Sequence, residues 1–140
     1  MRLALVLLSV ALSSPSDLVW KDGPPTLPAG AKVAVLEGNP SQPGIFTMRL
    51  RVPANAKIAQ HWHPRAERVT VLSGRVRVAF EKETKTFTAG GFYVNDPHVP
   101  HSLEIPEDTV LQLTCEGPWE LNLVNPAPGT RHPAPYNLRT

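Results

Sequence analysis

Hydrophobic and polar residues alternate with a period of two over several short stretches of this chain. In IFTMRLRV (45–52), every second side chain from Phe46 to Val52 is apolar, and threonine or arginine stands between them. Such alternation predicts a β-strand with one buried face and one face in water. Similar strand-forming runs are KVAVLEG (32–38), ERVTVLSG (67–74), GRVRVAF (74–80), TFTAGGFYVNDP (86–97), HSLEI (101–105), TVLQLTCEG (109–117) and WELNLVN (119–125).

Helical periodicity is absent from every window longer than about ten residues. The chain has sixteen prolines and nine glycines among 140 residues. Proline is excluded from helix interiors and central strands, so this density favours short elements joined by turns. We therefore predict an all-β sandwich or barrel. The length suits a single domain, and a hydrophobic share of 41% suits one packed core.

Changes in composition divide the chain into four parts. Residues 14–31 are rich in proline and glycine and predict an irregular lead-in. Residues 32–125 carry the strand pattern and form the predicted barrel. Residues 126–140 are again rich in proline and predict a loosely ordered tail. Residues 1–13 have the character of a secretory signal, described next.

The N-terminal segment combines a positive residue, Arg2, with an apolar stretch from Leu3 to Leu12 and a small-x-small pattern, Ala11-Leu12-Ser13. These features are typical of a signal peptide and predict export to the periplasm or the extracellular space. A buried N-terminal strand and a misassigned start codon are the alternatives. The stretch is too short to span a bilayer, so no membrane association is predicted.

The charge and the cysteine content argue against a nucleic-acid-binding protein and against a fold held by disulfides. The net charge is +2, from 14 basic and 12 acidic residues without a long basic run, and this balance gives no reason to expect a nucleic-acid partner. Cys115 is the single cysteine, so no intrachain disulfide can form. With no base or positive cluster beside it in sequence, its thiol is expected to be an inert, small hydrophobic group.

The segment HWHPRAERVTVLSG (61–74) carries the clearest candidate chemistry. His61 and His63 are two residues apart on a strand and therefore point to the same side. Glu67 opens the next strand on the face shared by Val69 and Val71, which is the expected core face. His101 begins a later strand with an inward apolar face and is the best candidate for a fourth member of the group.

Two interpretations of this group are open at the level of the residues. In the first, the histidine pair lies on an exposed strand edge. Alternatively, the imidazoles and the carboxylate converge at the mouth of the core, where burying them unpaired would cost several kcal/mol. A divalent cation would remove that cost by taking them as ligands. Imidazole and carboxylate together suit manganese, iron, nickel, copper or zinc.

The same segment resembles the first motif of the cupin superfamily, in which a His-x-His pair, a glutamate four residues on and a glycine seven further share a strand–turn–strand unit. His61, His63, Glu67 and Gly74 match that spacing. The sequence is also similar to small, single-domain exported bacterial cupins that end in a GPW…VNP strand, which is Gly117–Trp119 and Val124–Pro126 in this chain.

The second cupin motif is matched only in part. GGFYVNDPHVPH supplies its first glycine, Gly90, and its terminal histidine, His101. Asp96 stands where the motif has proline, His98 where it has its second glycine, and Ile105 where it has asparagine. These departures concern the local turn rather than the ligand.

The resemblance implies a cupin-type double-stranded β-helix, a conical jelly-roll barrel, with one divalent transition metal inside one end. It implies three histidine ligands and one glutamate, with two coordination positions left open. The activity most often associated with this set is that of a metal-dependent dioxygenase or oxidase acting on a small organic substrate, and a homodimer is the expected assembly. A non-catalytic binding or sensing protein and a structural metalloprotein are the alternatives.

Further residues are candidates for roles around the metal. His98 is a candidate catalytic acid or base, or else a surface histidine of the turn. Phe46, Met48 and Gln112 are candidate pocket residues, with simple core packing as the alternative for the first two. Strand alternation predicts that Trp62 and Tyr93 point away from the metal.

Overall fold

A computed structural model of the protein describes residues 12–125. In this range the only helical element is a 3₁₀ turn, Pro15–Asp17, and no helix is long and apolar enough to cross a membrane. The strands are β1 (Lys21–Asp22), β2 (Lys32–Glu37), β3 (Gly44–Val52), β4 (Ala56–Trp62), β5 (Glu67–Ser73), β6 (Arg75–Phe80), β7 (Thr84–Thr88), β8 (Phe92–Asn95), β9 (His101–Ile105), β10 (Thr109–Gly117) and β11 (Asn122–Leu123).

The strands form two antiparallel sheets that face each other across one core. The larger sheet has the order β1-β2-β3-β10-β5-β8, and the smaller sheet has the order β11-β4-β9-β6-β7. The chain passes repeatedly from one sheet to the other, which is the jelly-roll arrangement. The predicted all-β jelly-roll barrel is therefore confirmed.

The core lies between the two inner faces and follows the alternation in the sequence. In the larger sheet, β10 pairs with β3 so that Phe46 lies opposite Cys115, and Met48 opposite Leu113. These four side chains are at most 3% exposed. Most outward side chains of the same strands are polar, such as Arg49, with Ile45 and Val110 as apolar exceptions.

The connection between β5 and β6 depends on Gly74. This residue has a φ of +80°, and a Cβ at its position would lie 2.3 Å from the carbonyl oxygen of Asp108. Any other residue would collide with that backbone, so the glycine of the first motif is a structural requirement here. The adjacent hydroxyl of Thr109 accepts a 3.0 Å hydrogen bond from the backbone N–H of Arg75 and ties β10 to this turn.

The lead-in, residues 14–31, contacts the barrel at several points. Strand β1 pairs with β2, and the guanidinium of Arg51 lies 4.2 Å from the centre of the Trp20 ring. Leu27 and Ala31 are buried members of the core. Apart from the 3₁₀ turn and β1, residues 14–31 form turns and irregular backbone. Turn-forming residues identify such turns but give no information on which single side chain is buried.

Two other predicted elements are shorter than expected. The 86–97 run divides into the end of β7 and β8, with a turn at Gly90 between them. Only Asn122 and Leu123 of the 119–125 run form a strand, because the backbone N–H of Trp119 donates to the carbonyl of Pro40 at 2.6 Å instead of joining a sheet. The predicted signal peptide and proline-rich tail lie outside the described residues, apart from residues 12 and 13.

Candidate metal centre

A β-bulge in β4 sets the direction of the histidine pair. Strands β4 and β9 pair in register as far as Ile58 opposite Leu103, and the register then shifts so that His61 lies opposite His101. Regular pairing would have placed Gln60 opposite His101. Strand β4 therefore contains one extra residue at this point, and such bulges commonly redirect side chains beside functional sites.

The bulge reverses the inside–outside alternation of the strand. In a regular strand, Gln60 and Trp62 would point inward with buried Ile58. Instead, Gln60 is exposed and Trp62 is only half-buried. His61 and His63 are each 2% exposed. The same-side prediction for the pair is therefore correct, and the extra residue makes that side the inner one.

Each of the three buried histidines is oriented by a backbone carbonyl. The Nδ1–H of His61 donates to the carbonyl of Ala59 at 2.7 Å. That of His63 donates to the carbonyl of Glu120 at 2.7 Å, and that of His101 to the carbonyl of Val99 at 3.0 Å. A carbonyl can only accept, so each Nδ1 carries a proton, and a neutral ring in this orientation keeps its free lone pair on Nε2. This is the tautomer that a metal ligand requires.

The three rings meet inside the barrel. One candidate ligand nitrogen from each of His61, His63 and His101 lies within 4.8 Å of the other two. The Nε2 atoms of His63 and His101 are buried and have no hydrogen-bond partner within the described residues. Buried polar atoms are nearly always satisfied, so two unpartnered lone pairs at one point are the pattern expected of a metal site.

Burial favours the uncharged imidazoles of His61 and His101. Desolvation, followed by repulsion from His101 and His63, lowers the pKa of His61 to about 3. Burial also lowers the pKa of His101. Metal ligation requires the neutral imidazole, so His61 and His101 are in the ligating form at neutral pH.

Glu67 lies beside the three histidines and is held by two N–H donors. One oxygen, Oε1, is 3.5 Å from Nε2 of His63 and accepts a 3.0 Å bond from Nδ2 of Asn95. The other oxygen, Oε2, accepts a 2.8 Å bond from Nε1 of Trp119. Glu67 is not one of the residues whose ligand atoms lie mutually within 4.8 Å. The carboxylate thus borders the site in a fixed orientation.

The cavity at this site is small and lined by buried side chains. Its volume is about 20 Å³, which is room for roughly one water-sized species. The polar part of its wall consists of the three histidines, Glu67 and Tyr93. The apolar part consists of Leu27, Leu50, Ile58, Val69, Leu103, Leu111, Leu113, Trp119 and Leu121.

The predicted pocket residues lie elsewhere. Phe46 and Met48 are fully buried in the core but do not line the cavity. Gln112 is on the outer face of β10, where its Oε1 accepts a 3.1 Å bond from Nε of Arg49. The proposed interior role of Gln112 is therefore wrong, because strand alternation turns it away from Leu111 and Leu113.

His98 faces away from the cavity as well. Its side chain is exposed and its ring lies 5.0 Å from that of Trp62, centre to centre, on the outside of the barrel. Its φ of 63° is the left-handed conformation that glycine prefers, and its backbone N–H donates to the carbonyl of His63 at 2.8 Å. The turn of the second motif is thus retained with histidine in the glycine position. This contact pattern gives no support to a catalytic role.

Sequence reasoning missed three residues that touch the site. Tyr93 is buried and lines the cavity, whereas Phe92 beside it is 56% exposed, so the predicted direction of Tyr93 was wrong. Burial raises the pKa of Tyr93. Asn95 shares its inward face, and two buried polar residues at alternate positions were the available signal. Trp119 approaches Glu67 from a distant part of the sequence, and no local pattern predicts that contact.

Comparison with known proteins agrees with this architecture. A family model described as the ChrR cupin-like domain matches residues 9–120. No protein of curated function matches the chain significantly in sequence.

Solved structures share the fold at low sequence identity. An RmlC-like cupin from Shewanella frigidimarina is 22% identical with a TM-score of 0.64, over 77% of this chain and 91% of that one. The polyketide cyclase RemF from Streptomyces resistomycificus is 13% identical with a TM-score of 0.72, over 86% and 89%. KdgF from Halomonas is 20% identical with a TM-score of 0.59, over 74% and 93%. On its sequence match and its jelly-roll barrel, this chain belongs to the ChrR cupin-like domain family.

Proposed function

We propose that this protein is a mononuclear metal-binding cupin in which His61, His63 and His101 hold one divalent transition metal. The observation that carries this proposal is the pair of buried, unpartnered Nε2 atoms of His63 and His101. The Nδ1–H bonds to backbone carbonyls and the lowered pKa of the His61 imidazole support it. Imidazole ligands suit manganese, iron, nickel, copper and zinc alike, so the donor set leaves the identity of the ion open.

Glu67 is the proposed fourth ligand, through Oε1. That atom is 3.5 Å from Nε2 of His63, close to the three-histidine site. Oε2 would keep its hydrogen bond to Trp119, and Asn95 would remain beside Oε1. Ligating carboxylates in metalloproteins are normally held by such outer hydrogen bonds, which fix their direction.

The proposed activity is that of a dioxygenase- or oxidase-like enzyme acting with a small reactant. A divalent metal bound here would supply Lewis acidity or activation of dioxygen. The surrounding side chains exclude water, since leucine, isoleucine and valine form most of the wall. The 20 Å³ cavity favours a reactant of a few atoms over an aromatic ring.

The burial of the three histidines also favours a second candidate function. The histidines are at most 2% exposed, and an ion so enclosed could act in a small-ligand sensor or stabilise a barrel that has no disulfide. Two measurements separate the candidates. Oxygen uptake by the metal-loaded protein with added small diketones or short acids favours an enzyme, while a large loss of thermal stability on chelation without any turnover favours a structural role.

Metal analysis tests the proposal directly. Wild-type protein purified without chelators should carry about one ion per chain, and the double variant His61→Ala/His63→Ala should carry almost none. His98→Ala is the matched control, since it removes an imidazole of a neighbouring segment that lies outside the cavity. Equal metal content in the double variant and the wild type would overturn the site.

Export and homodimer formation are proposed on sequence and family grounds. The apolar N-terminal segment supports export. The edge strand β8, with its exposed Phe92 and Val94, supports association through a sheet edge. Cell fractionation and light scattering in solution test these two proposals separately.

A further inference from the structure

A loop closed on itself contributes one side chain to the wall of the metal cavity. Residues 23–31 begin and end at a backbone hydrogen bond from Gly23 N–H to Ala31 O, of 3.0 Å. Two further bonds, from Leu27 to Pro24 and from Ala31 to Pro28, also stay within the loop. Compact surface loops with adjoining ends are a recognised unit, packed by their own side chains and frequently functional.

Leu27 is the residue that joins this loop to the cavity. It is 7% exposed and lines the cavity together with the histidines. Thr26 and Pro28 on either side are half-buried, and the next two residues, Ala29 and Gly30, are exposed. The loop therefore rests on the barrel through few buried side chains, of which Leu27 reaches the site.

Other cavity residues could not move without disturbing the candidate ligands. Trp119 donates to Glu67, and the carbonyl of Glu120 accepts from Nδ1 of His63. Displacing 119–121 would therefore release both a carboxylate and an imidazole from their partners. The strand-borne leucines are fixed by sheet pairing, as Leu50 is between Val33 and Leu111. Leu27 can withdraw while every hydrogen bond to the candidate ligands remains.

We propose that Leu27 is the gate of the metal cavity and the residue that determines which ligands reach it. This inference rests on the proposed metal site. With Leu27 in place, the 20 Å³ space admits only a ligand of a few atoms. Withdrawal of the 23–31 loop opens the cavity to larger metal-coordinating molecules, such as planar nitrogen heterocycles. The loop thus separates a class of small ligands, bound with the gate closed, from a class that requires it open.

Ligand binding to the cobalt(II)-loaded protein tests the gate, with the visible absorption of the ion as readout. Azide and imidazole are the small and the large probe. Leu27→Ala should bind imidazole about tenfold more tightly than wild type, because the apparent dissociation constant falls as the open fraction rises. Azide should bind about tenfold faster with a smaller change in affinity. Cobalt retention is measured in the same samples.

Leu50→Ala is the matched control, because it makes the same truncation in the same cavity but on a strand. It enlarges the cavity without loosening the 23–31 loop, so it should change imidazole affinity but leave the rate of azide binding close to wild type. Equal gains in azide binding rate in Leu27→Ala and Leu50→Ala would mean that cavity volume alone matters, and no gain in either would mean that access lies elsewhere. Both results overturn the gate. Leu27→Val, a smaller truncation, gives the same comparison if Leu27→Ala folds poorly.

Hydrogen exchange of the wild-type protein gives an independent readout. The amides of Leu27 and Ala31, both hydrogen-bonded within the loop, should exchange far faster than those of the paired strand β3, since the loop opens locally. Exchange of these amides only together with β3 would contradict the gate. Failure of wild-type protein to bind cobalt would instead overturn the metal site itself, and the two failures are therefore distinguishable.

Discussion

The indole Nε1–H of Trp119 donates a 2.8 Å hydrogen bond to Oε2 of Glu67, across 52 residues of sequence. Both side chains are buried. The Trp119 ring also lies nearly parallel to that of His63, with 6.2 Å between their centres and 16° between their planes. One residue that follows the last long strand therefore contacts two members of the candidate metal centre.

Loss of this hydrogen bond should weaken metal binding. Trp119→Phe keeps an aromatic ring beside His63 but leaves Oε2 of Glu67 buried without a donor. We expect a loss of stability of about 1–3 kcal/mol and a 10- to 100-fold weaker metal affinity, roughly the effect of removing an outer-shell partner. Chemical denaturation and competition with a chromophoric chelator measure the two quantities.

Trp62→Phe is the control for this variant. It removes an indole N–H from a half-buried ring that lies outside the barrel against His98. Its metal affinity should match wild type. A Trp119→Phe protein that binds metal as tightly as Trp62→Phe would show that Glu67 needs no donor at Oε2.

The number of residues between Ile58 and His61 should decide whether both side chains can face the core. Deletion of Gln60 alone removes the bulge but leaves His61 two positions after Ile58, which regular strand alternation turns to the same side. We expect this variant to retain about one metal ion per chain. Deletion of Ala59 and Gln60 together makes Ile58 and His61 adjacent, so that they point to opposite faces.

The double deletion should therefore lose either the metal or the burial of Ile58. We expect no bound metal if His61 and His63 turn outward, and a loss of stability of roughly 2 kcal/mol or more if Ile58 does. Elemental analysis and urea denaturation of the two deletion variants make the comparison. A double-deletion protein with the metal content and stability of the single deletion would mean that strand alternation does not set the direction of the ligands.

Acid should destabilise the metal-free protein. The pKa of His61 is lowered to about 3 in the folded state from 6.5, so between these values the unfolded chain binds more protons than the folded one. The free energy of unfolding therefore decreases as pH falls through this window, by a few kcal/mol in total. His101, whose pKa is also lowered, acts in the same direction. Urea denaturation at pH 7, 5.5 and 4 measures the loss.

A His61→Gln variant tests the origin of this pH dependence. Glutamine does not titrate, so the decline in stability between pH 7 and 4 should be clearly shallower than in wild type. Parallel declines in the two proteins would assign the effect to other groups.

Cys115 should be unreactive in the native protein. Its side chain is 3% exposed, and burial, with a smaller contribution from Glu67, raises the pKa of its thiol to about 11. Because the thiolate is the reactive form, a disulfide exchange reagent at pH 8 should label the native chain very slowly and the urea-unfolded chain at once. Rapid labelling of native protein would contradict the described burial.

Local patterns in the sequence account for much of the fold and for the main candidate ligands. The alternation of hydrophobic and polar residues with a period of two predicts strands. It correctly assigns His61 and His63 to one side, because their relative direction depends on adjacent residues only. His101 is correctly predicted to point inward, since Leu103 and Ile105 share its face. Glu67 is correctly predicted to be buried beside them.

The remaining features depend on contacts between distant segments. The bulge that turns the histidines inward exists only in the pairing of β4 with β9, and no residue type in β4 requires it. The direction of Tyr93 was mispredicted because Phe92 and Val94 are the more hydrophobic pair, yet the edge strand exposes them. Gln112 finds its partner on β3, in Arg49, which an isolated strand cannot reveal.

The most direct test of the metal centre is a crystal structure of the protein grown with a transition metal, with anomalous data collected at the absorption edge of that metal. The predicted result is one dominant anomalous peak inside the barrel, within bonding distance of Nε2 of His61, His63 and His101, with Oε1 of Glu67 as the fourth ligand. An ordered barrel without a peak there, or with its dominant peak at His98 on the outer surface, would contradict the proposed site.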